Sequence, residues 1–190
     1  MKIRISFTGT SPLLMHNIQL ADPDNSFTRE IATYTAKRKK TEDDRRAIER
    51  MEWYGGLYVG ASGPAMPTGN IRKALINAAK ITKQGIVVQR ALHFADLDVP
   101  LVYEGPRDID ALFKDPSHHH RAAVGIGNKR TMRVRPKFPN WAVVADAELL
   151  EDVLDVSDFI RVVDRAGLAE GLGDGRALGF GRFDGKVEEQ

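Results

Sequence analysis

Polar and apolar residues alternate from the second position onward. Ile3, Ile5 and Phe7 stand between Lys2, Arg4, Ser6 and Thr8, the period of a strand with one buried face. Ser11-Pro12 breaks this strand, and Asn17 to Ser26, with the turn chemistry of Asp22-Pro23-Asp24-Asn25, reads as an exposed loop. From Phe27 to Tyr54 the period becomes helical. Phe27, Ile31 and Tyr34 are spaced by four and three, and Thr41 then offers an N-cap to a second helix carrying Ile48, Met51 and Tyr54. The apolar stripe is thin, the middle is Lys37-Arg-Lys-Lys40 and Gly55-Gly56 closes the segment, so residues 27–55 read as a projecting helical insertion.

Leu57 to Val59 is a short strand, and Gly60 to Pro64 is a breaker cluster. Met66-Pro67-Thr68-Gly69 then leads into a helix with Ile71, Leu75, Ala78, Ala79 and Thr82 on one face, for which Gly85 supplies the C′ stop. Ile86 to Val88 and Leu97 to Tyr103 are predicted strands, the second broken by Pro100, and Asp108 to Phe113 is a helical turn. A histidine-rich loop spans Asp115 to Gly127. After it, Lys129 to Phe138 alternates sharply: Lys129, Arg133, Arg135 and Lys137 fall on one face of a ribbon, and Met132, Val134, Pro136 and Phe138 on the other. Trp141 to Ala145 is a buried-type strand and Leu149 to Leu154 a short acidic helix. Ser157 caps a helix through Ala166, and Phe180 to Val187 is the last strand. This order predicts an α/β (α+β) fold, a ferredoxin-like or RRM-like βαββαβ domain spanning 1–190, with a helical insertion at 27–55 and a basic loop or ribbon insertion at 115–140.

Composition narrows the chemistry. The 190 residues are 42% hydrophobic and 28% charged, ordinary for a folded chain, and the net charge is only +2. Its distribution is uneven: five basic residues and no acid lie between Lys129 and Lys137, six acids and no base between Asp146 and Asp158. There are no cysteines, which excludes disulfides, thiolate metal sites and cysteine nucleophiles. The alternating start and the lack of any long apolar run predict a soluble, cytoplasmic protein with no membrane partner.

The densest candidate chemistry is Gly171-Leu-Gly-Asp-Gly-Arg-Ala-Leu-Gly-Phe-Gly-Arg-Phe183. Gly171, Gly173, Gly175, Gly179 and Gly181 at this spacing suit a loop of positive φ or of close backbone approach. The loop lacks the Lys-Ser/Thr of a P-loop, and it precedes the final strand where a dinucleotide fingerprint would follow the first, so no nucleotide cofactor is implied. It is either a glycine-rich hairpin or a phosphate-contacting loop in which Arg176 and Arg182 bind the anion. The basic face of Lys129 to Lys137, with Arg130 and Trp141 nearby, is either a solvated edge strand or a track for a phosphate backbone; the absence of interleaved acids favours the track. His118-His119-His120 is contiguous, which suits a polar loop and no metal site. His93 is expected to be packed.

The glycine segment, following a helix and preceding the terminal strand, resembles the signature loop of the RAMP superfamily, the RNA-binding proteins of CRISPR systems. Thr10-Ser-Pro-Leu-Leu-Met-His16 is similar to the turn after the first strand of its guide-RNA-coating backbone subunits, and Met66 to Leu75 resembles the segment that opens their first helix. The resemblance implies a non-catalytic backbone subunit that binds single-stranded RNA without sequence preference and associates with copies of itself or with other CRISPR-type subunits. Arg176, Arg182 and the loop glycines would hold phosphates, with Lys73, Arg130, Arg133, Arg135 and Lys137 extending the track. Two alternatives accompany it: a metal-independent endoribonuclease using His16, and a mobile-element-encoded mimic of a CRISPR subunit that acts by binding protein. Asp22 and Asp24 stand near where some of these subunits carry a cleaving aspartate, and a solvated turn explains them equally well.

Overall fold

The computed structural model describes residues 1–126 and 129–190, and the side chains of all of these except Ile126, Lys129 and Arg130. In chain order its elements are β1 (Lys2–Gly9), β2 (Leu13–Leu14), α1 (Ser26–Thr35), α2 (Glu42–Gly56), β3 (Val59–Gly60), β4 (Gly63–Pro67), α3 (Thr68–Lys80), α4 (Gly85–Ala91) and β5 (Leu92–Phe94). They continue with β6 (Asp98–Pro100), β7 (Val102–Tyr103), α5 (Ile109–Lys114), β8 (His119–Ile126), β9 (Lys129–Phe138), β10 (Trp141–Leu149), α6 (Val156–Arg165) and β11 (Phe183–Glu189). The fold is α+β. It divides into two compact units, one of Met1–Leu13, Val59–Glu104 and Pro139–Gln190, the other of Leu14–Tyr58 and Gly105–Phe138. Among the described residues no helix is long and apolar enough to cross a membrane.

The first unit is built on a sheet of order β11-β1-β10-β5, with β7 also paired to β10. β1 lies antiparallel to β10 from Lys2↔Glu148 to Thr8↔Ala142 and to β11 from Ile3↔Glu189 to Gly9↔Phe183. Its alternation therefore buries Ile3, Ile5 and Phe7 with Val143, Ala145 and Phe183. Ile71, Leu75 and Ala78 of α3 and Phe159, Val162 and Val163 of α6 are also buried. Full burial of each large side chain contributes about 1.5–3 kcal/mol. Gly185 lets α6 approach β11: a Cβ there would lie 2.2 Å from Val163 Cγ1.

Four expected elements of this unit differ. The Gly60–Pro64 breaker cluster is strand at both ends, as Val59–Gly60 is β3 and Gly63–Pro67 is β4, paired at Val59↔Pro64. Ile86–Val88 is helical: Lys83 turns the chain at φ 62°, the Gln84 amide donates to the Ala79 carbonyl (2.9 Å), and Gly85 opens α4 instead of stopping α3. A short apolar run has no period to separate strand from helix. Leu149 ends β10, paired to Leu92, so no acidic helix starts there. Asp155 caps α6 in place of Ser157, its carboxylate accepting from the Ser157 amide at 2.7 Å.

In the second unit residues 27–55, read as a helical insertion, form two separate helices, α1 and α2. Thr41 and Asp44 make a full capping box at the start of α2. β8 and β9 pair from His119↔Pro136 to Ile126↔Lys129, so the histidine-rich loop is largely a strand; Gly127, its expected end, lies outside the described residues. The thin stripe of α2 suffices because Trp53 is fully buried, donating to the His118 carbonyl (2.9 Å) and stacking on the His119 ring at 5.7 Å. Gly55 and Gly56 admit neighbours: a Cβ would stand 2.6 Å from Leu20 Cδ2 and 3.1 Å from Pro136 Cδ respectively.

Candidate nucleic-acid interface

All five loop glycines adopt left-handed backbone, with φ of 73° at Gly171, 74° at Gly173, 69° at Gly175, 89° at Gly179 and 71° at Gly181. Their reasons differ. The Leu172 amide donates to the Gly181 carbonyl at 2.8 Å, and a Cβ on Gly181 would fall 1.9 Å from the Leu172 carbonyl oxygen. Gly171 and Gly181 thus close the base of the loop by backbone contact. Gly175 and Gly179 flank a 3-10 turn, Arg176–Leu178, and a Cβ on Gly179 would meet nothing within 4 Å.

Ser11 joins this loop to the turn after β1. Its hydroxyl donates to the Gly179 carbonyl (2.8 Å) and accepts from the Arg182 amide (2.8 Å), while the Gly181 amide donates to the Pro12 carbonyl (2.9 Å). Two sequence stretches about 170 residues apart, both read above as resembling one family, are therefore hydrogen-bonded to each other.

The loop walls a pocket of about 590 Å³ lined by Arg176, Arg182, Glu170, Asp174 and exposed Leu178. Arg176 lies 3.6 Å from Glu170. Arg182 donates through Nη2 to the Arg176 carbonyl (3.2 Å), and its Nη1 is buried with no hydrogen-bond partner among the described residues. Lys73 is exposed on α3 of the same unit.

In the second unit the ribbon alternates as expected from Arg133 onward, with Val134, Pro136 and Phe138 buried and Arg133, Arg135 and Lys137 half-buried, whereas Met132, expected on the apolar face, is exposed. The Arg130 side chain lies outside the described residues. Sequence showed no acid among these bases, yet α2 delivers one: Glu52, 4% exposed, is ion-paired with Arg133 and accepts from the Val134 amide at 3.0 Å. Its signal in the sequence was a charge four residues after Ile48 on the apolar stripe of α2. Trp141, expected near the ribbon as a stacking surface, belongs to the first unit and is 4% exposed. Its indole donates to the Ser11 carbonyl (2.8 Å) and sits over Gly9, where a Cβ would be 2.2 Å away.

His16 is exposed, and its carbonyl accepts from the Tyr58 hydroxyl at 3.2 Å. His118 is buried with Nδ1 2.9 Å from the Lys137 carbonyl, and His119 Nε2 lies 2.6 Å from the Phe113 carbonyl, so both are packed against backbone. His93, expected to be packed, is exposed beside the Arg90 carbonyl at 2.9 Å. Asp22 accepts from the Asp24 amide (2.9 Å) in a local turn, and Asp24 pairs with Arg29 at 3.1 Å. Burial and a 2.5 Å hydrogen bond to Asp110 push the Tyr54 phenol up to about 12. Among the described residues no cluster of three His, Asp or Glu side chains is arranged to hold a metal.

No protein family model and no curated protein matches the chain. Among solved structures, it is similar to a chain in the cryo-EM structure of the Type III-B Cmr-beta bound to cognate target RNA, at 11% identity and a TM-score of 0.49. The match covers 98% of this chain and 59% of that one.

Proposed function

We propose that the chain binds single-stranded RNA as a non-catalytic, backbone-type subunit of a CRISPR-like ribonucleoprotein, holding phosphates without reading bases. The observation that carries this reading is Arg182, whose buried Nη1 has no partner among the described residues beside a pocket walled by left-handed glycines. An unsatisfied buried donor costs about 1–3 kcal/mol, more on a charged group, and a phosphate oxygen would satisfy it once the Arg182 side chain turns into the pocket it lines. The sheet order β11-β1-β10-β5, with α3 following β1 and α6 preceding β11, supports a ferredoxin-like βαββαβ domain. In this reading Arg176, Arg182 and the loop amides hold RNA on the first unit, to which exposed Lys73 of α3 also belongs. Arg133, Arg135 and Lys137 serve on the second. Residues 27–55 and 115–140 are insertions in one RNA-binding domain, and copies of the chain associate along the strand.

Fluorescence anisotropy with a labelled oligouridylate of about 20 nucleotides tests it. About four phosphate contacts give a log–log salt slope near −3, and a mixed sequence binds equally well. Arg182→Gln lowers RNA affinity about tenfold or more while retaining the parent melting transition. An unchanged affinity in that variant, or no binding at low salt, overturns the reading.

A further inference from the structure

A cavity of about 480 Å³ lies wholly within the second unit, among residues of the segment after β2, α1, α2, β8 and β9. It follows from the shortness of β2. The Met15 amide donates to the Pro136 carbonyl (3.0 Å), but at Val134 the β9 amide is met by the Glu52 carboxylate instead of a strand. The chain turns away there through Asn17, whose amide donates to the Gly56 carbonyl at 3.0 Å, and a gap is left against β9.

The volume falls in the range of small-molecule sites, roughly 300–1,000 Å³. Leu20, Ile31 and Val124 give it apolar walls; His16, Glu52 and Arg135 give it polar groups. Glu52 uses one oxygen for Arg133 and the other for the Val134 amide. A carboxylate has about four acceptor positions, so acceptor capacity remains for an amino group. Arg135 carries a permanent charge on a planar fork suited to a phosphate, and His16 adds a ring donor. Apolar walls, one carboxylate and a cationic group fit a flat amino-bearing base joined to an anion.

We propose that this cavity binds a nucleoside monophosphate whose base carries an amino group, with the amine on Glu52 and the phosphate at Arg135 and His16. The site is separate from the glycine loop, and it shares Arg135 with the RNA track proposed above, so oligouridylate and the monophosphate compete at that residue.

Isothermal titration calorimetry on the full chain tests it with adenosine monophosphate, inosine monophosphate, adenosine and inorganic phosphate. Adenosine monophosphate binds one site, about fivefold or more tighter than inosine monophosphate, which offers an oxygen in place of the amine, and about tenfold tighter than adenosine or phosphate. Arg135→Gln weakens it about tenfold. Ile31→Trp fills the cavity and abolishes adenosine monophosphate binding while retaining the parent melting transition. Should Ile31→Trp lose the cooperative melt, Ala21→Phe fills the same space. Absence of saturable binding, equal binding of the two monophosphates, or binding that survives a folded cavity-filling variant each overturns the assignment.

Discussion

Gly179 and Gly181 share a left-handed backbone but not a neighbourhood. At Gly181 a Cβ would overlap the Leu172 carbonyl oxygen, so Gly181→Ala must open the base of the loop; at Gly179 the space is empty and only the dihedral cost remains. Gly181→Ala is expected to lose about 3 kcal/mol or more in thermal or denaturant melts, and Gly179→Ala about 1–2 kcal/mol. Equal losses would mean that the loop base is not held by backbone contact. The glycine spacing was visible in the sequence because glycine alone tolerates these angles at no steric cost. Which glycines close the loop and which only turn it was not visible, since Gly181 is constrained by Leu172, nine positions earlier.

Capping acts within a few residues, which is why Thr41 was readable as the start of α2. Its partner Asp44 accepts from Lys37 Nζ at 2.6 Å and from the Thr41 amide at 2.9 Å. Chiefly the Lys37 hydrogen bond, then the Thr41 amide, hold its carboxyl down to about 2 against an ordinary 3.8. The folded state therefore binds this proton more weakly than the unfolded chain, so the stabilisation is complete above the ordinary value and is lost as pH falls from about 4 to about 2. The parent's melting temperature should drop through that window, and Asp44→Asn should remove part of the drop; an identical acid profile would exclude the Asp44 contacts as its source. The elements read wrongly failed for a related reason. Ile86–Val88 is too short to show a period, and three consecutive histidines hide the alternation of β8, which only its pairing with β9 fixes.

On the scale of the whole molecule, β1 can close its sheet only when β10 and β11 have been made, because its partners start at Trp141 and Phe183. Deleting residues 183–190 removes one neighbour of β1 and the Phe183 ring stacked 4.1 Å from Phe7. The truncated chain is expected to lose its cooperative melt and the near-ultraviolet dichroism of Trp141, which meets Phe183 edge-on at 6.3 Å. A native-like transition would show that β11 is dispensable to the core. By itself the sequence determined the alternation of β1 and of β9 from Val134 onward, the helical character of residues 27–55, the buried face of α3 and a loop at the five glycines, because period, capping and φ preference act over a few neighbouring residues. Tertiary structure alone decided that Ser11 binds the glycine loop, that Trp141 is core and that Glu52 answers Arg133 and Val134. These contacts join residues 81 to 171 positions apart, and hydrogen bonds and burial depend on distance in space, which no local spacing encodes.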